Sequence, residues 1–177
     1  MAPSDINDRA RLIRFVMMDV DGVLTDGRIV YGDHGDEIKS FDVQDGLGLS
    51  LLHQAGIKTA MVTSRRSRIN ARRAKEVGVK ILCQNAKDKA GVFEKFLKKY
   101  RLTAAEVCVI GDDWVDAAAM KRAGLAVAVA NAAPELRTIA HAVTSKNGGR
   151  GAVREVAEWI LKSQNKWAEL FEKYFSQ

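Results

Sequence analysis

Two aspartates one residue apart, Asp19 and Asp21, close an apolar run from Ile13 to Met18 that only Arg14 interrupts. Carboxylates this close repel each other unless a proton or a cation stands between them. A hard cation with oxygen ligands, Mg²⁺ above all, resolves that conflict. A second acidic stretch, Gly111-Asp112-Asp113-Trp114-Val115-Asp116, follows the apolar run Val107 to Ile110. At the start of a helix one carboxylate caps free N–H groups. Asp112, Asp113 and Asp116 together exceed that need, and a cation shared with the first pair accounts for the surplus. Two further polar signals end apolar runs: Thr63, and a lysine, either Lys87 or Lys89, flanking Asp88.

These residues need elements that bring them together. A short run apolar at every position reads as a strand buried on both faces, as in a parallel sheet. Residues 12–20 read as such a strand, and 58–62, 79–83, 107–110, 125–129 and 141–143 as five more. Helical spacing and stop signals place helices over 42–54, 66–77, 88–100, 114–123, 134–140 and from about 152 to 162. The first residues, 1–11, read as a polar lead-in. Residues 28–31 and 37–41, parted by Gly32-Asp33-His34-Gly35, read as a β-hairpin. Strand–helix alternation gives an α/β fold, a doubly wound parallel sheet with a projecting β-hairpin, in one domain over 1–177. In such a sheet the C-terminal strand ends share one edge, where ligands bind. All four polar signals fall there.

Taken in order, Asp19-Val20-Asp21-Gly22, Thr63, a lysine and Gly111-Asp112-Asp113 with Asp116 resemble the four motifs of the haloacid dehalogenase (HAD) superfamily. Asp19 to Gly27, Phe41-Asp42-Val43-Gln44-Asp45-Gly46 and Gly148-Gly149-Arg150-Gly151-Ala152-Val153-Arg154-Glu155 narrow the likeness to its 3-deoxy-D-manno-octulosonate 8-phosphate (KDO 8-phosphate) phosphatases. The resemblance spans roughly residues 12–162 and implies a HAD-like core.

It also implies roles. Asp19 would be the nucleophile, and Asp21 the general acid and then base. Thr63 and a lysine would hold the phosphoryl group, the family pattern favouring Lys89. Mg²⁺ would bind Asp19, Asp112 and the backbone carbonyl of Asp21, with Asp113 or Asp116 orienting its waters. Arg65 would meet the substrate carboxylate or a neighbouring subunit, and Arg150 would reach substrate. Ser64 stands where the family usually has glycine, so it would crowd the phosphate loop or add a donor. The implied substrate is a small sugar acid phosphate. The alternatives are a sister phosphatase for a nonulosonate 9-phosphate and a HAD-like binding or regulatory module without catalysis.

The segments 27–61 and 64–88 are filled by the hairpin, two helices and a strand, which leaves no room for a cap domain. The open site would then be covered by a partner. Ile29, Val30, Tyr31, Ile38 and Phe41 leave apolar surface on the hairpin. In the tail, 163–177, Trp167, Leu170, Phe171, Tyr174 and Phe175 recur at helical spacing. That helix packs on its own core or docks on a neighbouring subunit, and the family pattern implies a homotetramer.

Composition bounds the rest. The chain has 177 residues, 47% hydrophobic and 28% charged, with a net charge of +6. No run approaches a membrane span, and no apolar signal region opens the chain, so a cytoplasmic location is expected. The basic residues are scattered. Their densest cluster, Arg65, Arg66 and Arg68 with Arg72 and Arg73, lacks interleaved aromatics, which argues against nucleic acid and for a small anion. Cys83 and Cys108 lie in apolar runs as reduced core thiols.

Overall fold

Strand β1, Phe15–Met18, lies inside the sheet because its four apolar side chains are all buried. The computed structural model describes residues 3–176, and the side chains from residue 6 onward. Beside β1 run β4 (Lys58–Val62) and β6 (Val107–Gly111), both parallel to it, with Met18 level with Met61 and with Ile110. That register sets the residues after each strand at one height. Strands β5 (Ile81–Cys83), β7 (Leu125–Ala128) and β8 (Ala142–Val143) complete the order β5-β4-β1-β6-β7-β8. All pairs in this sheet are parallel.

Helices α1 (Pro3–Arg11), α2 (Val43–Gln54) and α7 (Ala152–Ser163) pack on one another. So do α4 (Lys89–Tyr100), α5 (Trp114–Met120) and α6 (Pro134–Ile139), giving the second layer. Helix α3 (Arg68–Glu76) packs beside β5, and α8 (Trp167–Phe175) beside α7. Phe15 seats β1 on the second layer, with ring centroids 5.2 Å from Phe96 and 5.3 Å from Tyr100. Between the acidic loops no further domain intervenes among the described residues.

Two expectations need correction. The polar lead-in is helix α1. Its sequence carries no apolar stripe, and tertiary contacts hold it: Ala10 is fully buried. The Gln164 side chain donates to the Ala10 and Ile13 carbonyls at 3.2 and 2.7 Å, and Arg9 to the Gly124 carbonyl at 2.6 Å. The hairpin is shorter than its sequence pattern, with β2 at Val30–Tyr31 and β3 at Glu37–Ile38. Gly32 N–H bonds the Asp36 carbonyl at 2.9 Å to close the turn, and after Ile38 the chain leaves the ladder to point Lys39 inward. Val30, Tyr31 and Ile38 remain more than half exposed. The tail forms α8, where Leu170 is buried and Trp167 packs on the core, while Phe171, Tyr174 and Phe175 are exposed.

Candidate active site

Asp19 leaves the end of β1, its N–H bonded to the Ile110 carbonyl of β6 at 3.1 Å. Asp112 leaves the end of β6, and Asp116 lies in the first turn of α5. Oxygens from these three carboxylates lie within 4.8 Å of one another. Two glycines make the approach possible. A Cβ on Gly111 would stand 2.5 Å from Asp116 Cβ, and one on Gly22 only 2.0 Å from Asp112 Oδ2. Gly22 also has φ +107, a left-handed conformation that disfavours any side chain.

Among the described residues, one cation enters this cluster. Lys89, at the start of α4, is buried, with Nζ 2.6 Å from Asp116 Oδ1 and 2.9 Å from Asp19 Oδ1. The sequence left Lys87 open beside it, but Lys87 is exposed. Asp116 Oδ2 also accepts from the Asp112 N–H at 3.1 Å. Asp113 is exposed and caps α5, taking the Trp114 N–H at 2.7 Å. Of the two acids expected behind the metal, then, Asp116 joins the cluster and Asp113 faces solvent. Sequence could not separate them, because both sit where a helix begins.

Two buried carboxylates and the half-buried Asp112 face one ammonium among the described residues, and their protonation shows the strain. Burial, then Asp116, raises the pKa of Asp19 to about 6 against the pull of Lys89. Burial, then Asp19 and Asp116, raises Asp112 to about 8. Burial disfavours the Lys89 charge, yet Asp116 and Asp19 hold its pKa above the ordinary value. Asp112 Oδ1 is buried without a hydrogen-bond donor, and so is Asp19 Oδ1, whose 2.9 Å approach to Lys89 lacks hydrogen-bond alignment. An oxygen-rich cradle short of positive charge fits a hard divalent cation such as Mg²⁺.

Asp21 belongs to a different set. One of its oxygens pairs with Lys39, and Oδ2 stands 3.5 Å from the Thr63 hydroxyl. Thr63 is buried at the end of β4 and accepts the Arg65 N–H at 3.2 Å. The Lys39 side chain is fully buried; its Nζ also reaches Asn70 Oδ1 at 3.2 Å and Glu37 at 3.6 Å. Sequence reading missed Lys39, Glu37 and Asn70. The available signal was strand alternation, which puts residues 37 and 39 on the face opposite Ile38. Ser64 turns its hydroxyl to the Ala86 carbonyl at 3.3 Å. Arg65 reaches out to the hairpin, donating to Tyr31 Oη at 3.0 Å.

The Gly-rich loop clasps the first acidic loop from behind. Gly149 N–H bonds the Val23 carbonyl at 2.9 Å, and a Cβ on Gly148 would stand 1.7 Å from the Gly22 carbonyl oxygen. Asp45, buried in α2, anchors the other end, accepting the Arg154 and Gly151 N–H groups at 2.8 and 3.3 Å at the start of α7. Burial raises its pKa to about 6. Arg150, on this loop, is exposed. No helix among the described residues is long and apolar enough to cross a membrane.

The family model of haloacid dehalogenase-like hydrolases matches residues 46–124. A curated 3-deoxy-D-manno-octulosonate 8-phosphate phosphatase from Yersinia pestis is 43% identical over 162 residues, 92% of this chain and 87% of that one. The crystal structure of such a phosphatase from Moraxella catarrhalis, in complex with magnesium, phosphate and KDO, is 40% identical. It superposes with a TM-score of 0.96 over 98% of this chain and 99% of that one. The cobalt-bound form from Haemophilus influenzae is 39% identical with a TM-score of 0.86, covering 89% of this chain and 92% of that one.

Proposed function

The chain belongs to the KDO 8-phosphate phosphatase family of the haloacid dehalogenase-like hydrolases, and from that premise we propose how its residues carry the reaction. It is a Mg²⁺-dependent phosphomonoesterase that hydrolyses KDO 8-phosphate to KDO and phosphate. An Asp19 oxygen attacks phosphorus, the bond from phosphorus to the sugar oxygen breaks, and an aspartyl-phosphate forms. Asp21 gives its proton to the departing oxygen. The same carboxylate then takes a proton from water, which attacks phosphorus and frees Asp19 and phosphate. Lys89 holds Asp19 in line and offsets charge on the phosphoryl oxygens. Thr63 donates its hydroxyl to the phosphoryl group.

Mg²⁺, held by Asp19, Asp112 and the Asp21 carbonyl with Asp116 behind them, supplies the charge neutralisation that phosphoryl transfer chiefly needs. Arg65, Ser64 and Arg150 are the candidate ligands of the sugar acid. The observation that carries this reading is the meeting of the buried Asp19 and Asp116 and the half-buried Asp112 within 4.8 Å, with the buried Lys89 paired to the first two.

We also place the enzyme in the cytoplasm, where its free thiols Cys83 and Cys108 would stay reduced. It assembles as a homotetramer through the exposed apolar hairpin, with the outer face of α8 reaching a neighbour. Light scattering on the purified protein tests the assembly.

The test of function is phosphate release from a panel of sugar phosphates, with Mg²⁺ and with EDTA. Metal-dependent preference for KDO 8-phosphate is the expected result. Metal-dependent preference for a nonulosonate 9-phosphate would keep the mechanism and move the substrate. No release from any substrate would leave a binding module.

A further inference from the structure

A general acid must present a chosen oxygen to the leaving group, and little in the core aims Asp21. Its contact with Thr63 is long, 3.5 Å. The strong hold is Lys39, which comes from the hairpin and not from the sheet. Its side chain is fully buried between Asp21, Glu37 and Asn70. A buried ammonium survives only where acceptors surround it, and here the acceptors fix it on three sides. Nothing in the phosphoryl-transfer steps above uses this lysine.

We propose that Lys39 is a positioning residue, which holds one oxygen of Asp21 so that the other, beside Thr63, faces the departing sugar oxygen. The proposal rests on the phosphatase reading. It makes the hairpin part of the catalytic apparatus: the strand that bears Ile38 outward carries Lys39 inward on the next residue. Arg65 strengthens the link, since it ties the loop after Thr63 to Tyr31 at 3.0 Å and lies 3.8 Å from Glu37.

The test compares two phosphate esters on wild-type enzyme, Lys39→Met, Lys39→Gln, Asp21→Asn and the Lys39→Met/Asp21→Asn double variant. KDO 8-phosphate has an alkoxide leaving group that needs a proton. p-Nitrophenyl phosphate has a leaving group that departs without one. The readout is kcat/KM, which covers steps through departure of the leaving group. General acid catalysis is worth about 10²–10⁴-fold. Lys39→Met should therefore lower kcat/KM on the sugar phosphate at least about tenfold more than on the nitrophenyl ester. Lys39→Gln, which keeps a donor of similar length, should fall between, and serves if the Met variant fails to fold. In the double variant, removing Lys39 should cost little beyond Asp21→Asn alone, as expected of residues acting through one group.

Equal losses on both esters would make Lys39 merely structural and overturn the proposal, as would losses that add in the double variant. A wild-type enzyme inactive on both esters would instead overturn the phosphatase reading itself.

Discussion

Two buried lysines flank the first acidic loop, and they are held in different ways. Lys89 begins helix α4 in the body of the fold and sits between Asp116 and Asp19. Lys39 arrives on a hairpin of two-residue strands and sits between Asp21, Asn70 and Glu37. The first half of the site is made from sheet ends in fixed register. The second half depends on an appendage whose outer apolar residues are exposed and whose ladder alone is marginal in water. The contrast separates two tasks. On the proposed reading, the half that would bind phosphorus and metal is built into the core, and the half that would manage the leaving group is tied to a surface hairpin.

The largest effect expected from breaking the rigid half is at Asp19. Asp19→Asn should lower kcat by about four orders of magnitude or more with the thermal midpoint nearly unchanged, because the change is isosteric. Near-wild-type turnover, measured as phosphate release, would remove Asp19 from the nucleophile role. Next is Lys89→Met, which leaves the buried Asp19 and Asp116 without their cation. It should cost about 10²–10³-fold in kcat and roughly 3 kcal/mol of stability in EDTA. Mg²⁺ should restore part of that stability in denaturant titrations, and no such metal-linked recovery is expected for Lys39→Met.

A pH experiment sharpens the same division. Asp19 and Asp112 bind protons in the folded state up to about pH 6 and 8. The unfolded carboxylates release theirs near the ordinary value of 3.8. The folded state therefore holds more protons across that window, and its metal-free stability should fall as pH rises through it. Because Mg²⁺ must displace those protons, its affinity should rise over the same range. The gap in melting temperature between Mg²⁺ and EDTA should widen from pH 5.5 to 8; a constant gap would mean the ion does not bind these groups. The smallest effect concerns the tail. Deleting residues 171–177 spares Trp167 and Leu170, which pack on the core, and should raise KM about threefold while leaving kcat alone. Unchanged KM would confine the outer face of α8 to a role away from substrate.

The legible parts of the molecule were those where side-chain type and local pattern agree. Apolar runs ending in Asp19, Thr63 and Asp112 gave the parallel sheet and its reactive edge, since only buried strands read that way. The recurrence of Trp167, Leu170 and Phe171 gave α8. What stayed hidden depends on distant chain. Helix α1 has almost no apolar face and exists because Gln164 and Gly124 receive it. Lys39 looks like any solvated hairpin lysine until Asn70 and Asp21 close around it. Asp113 and Asp116 are alike on paper, and the helix geometry alone assigns one to the cap and the other to the cluster.

The clasp between the Gly-rich loop and the first acidic loop also has a consequence in time. Strand β1 can pair with β4 once residue 62 is available. The loop that follows β1 is locked only when Gly148 and Gly149 reach Gly22 and Val23, more than a hundred residues later. A ribosome must therefore release most of the chain before the loop after Asp19 has its final wall. The first residues of the site to be synthesised are among the last to be set, so a truncated nascent chain carries Asp19 without a working centre.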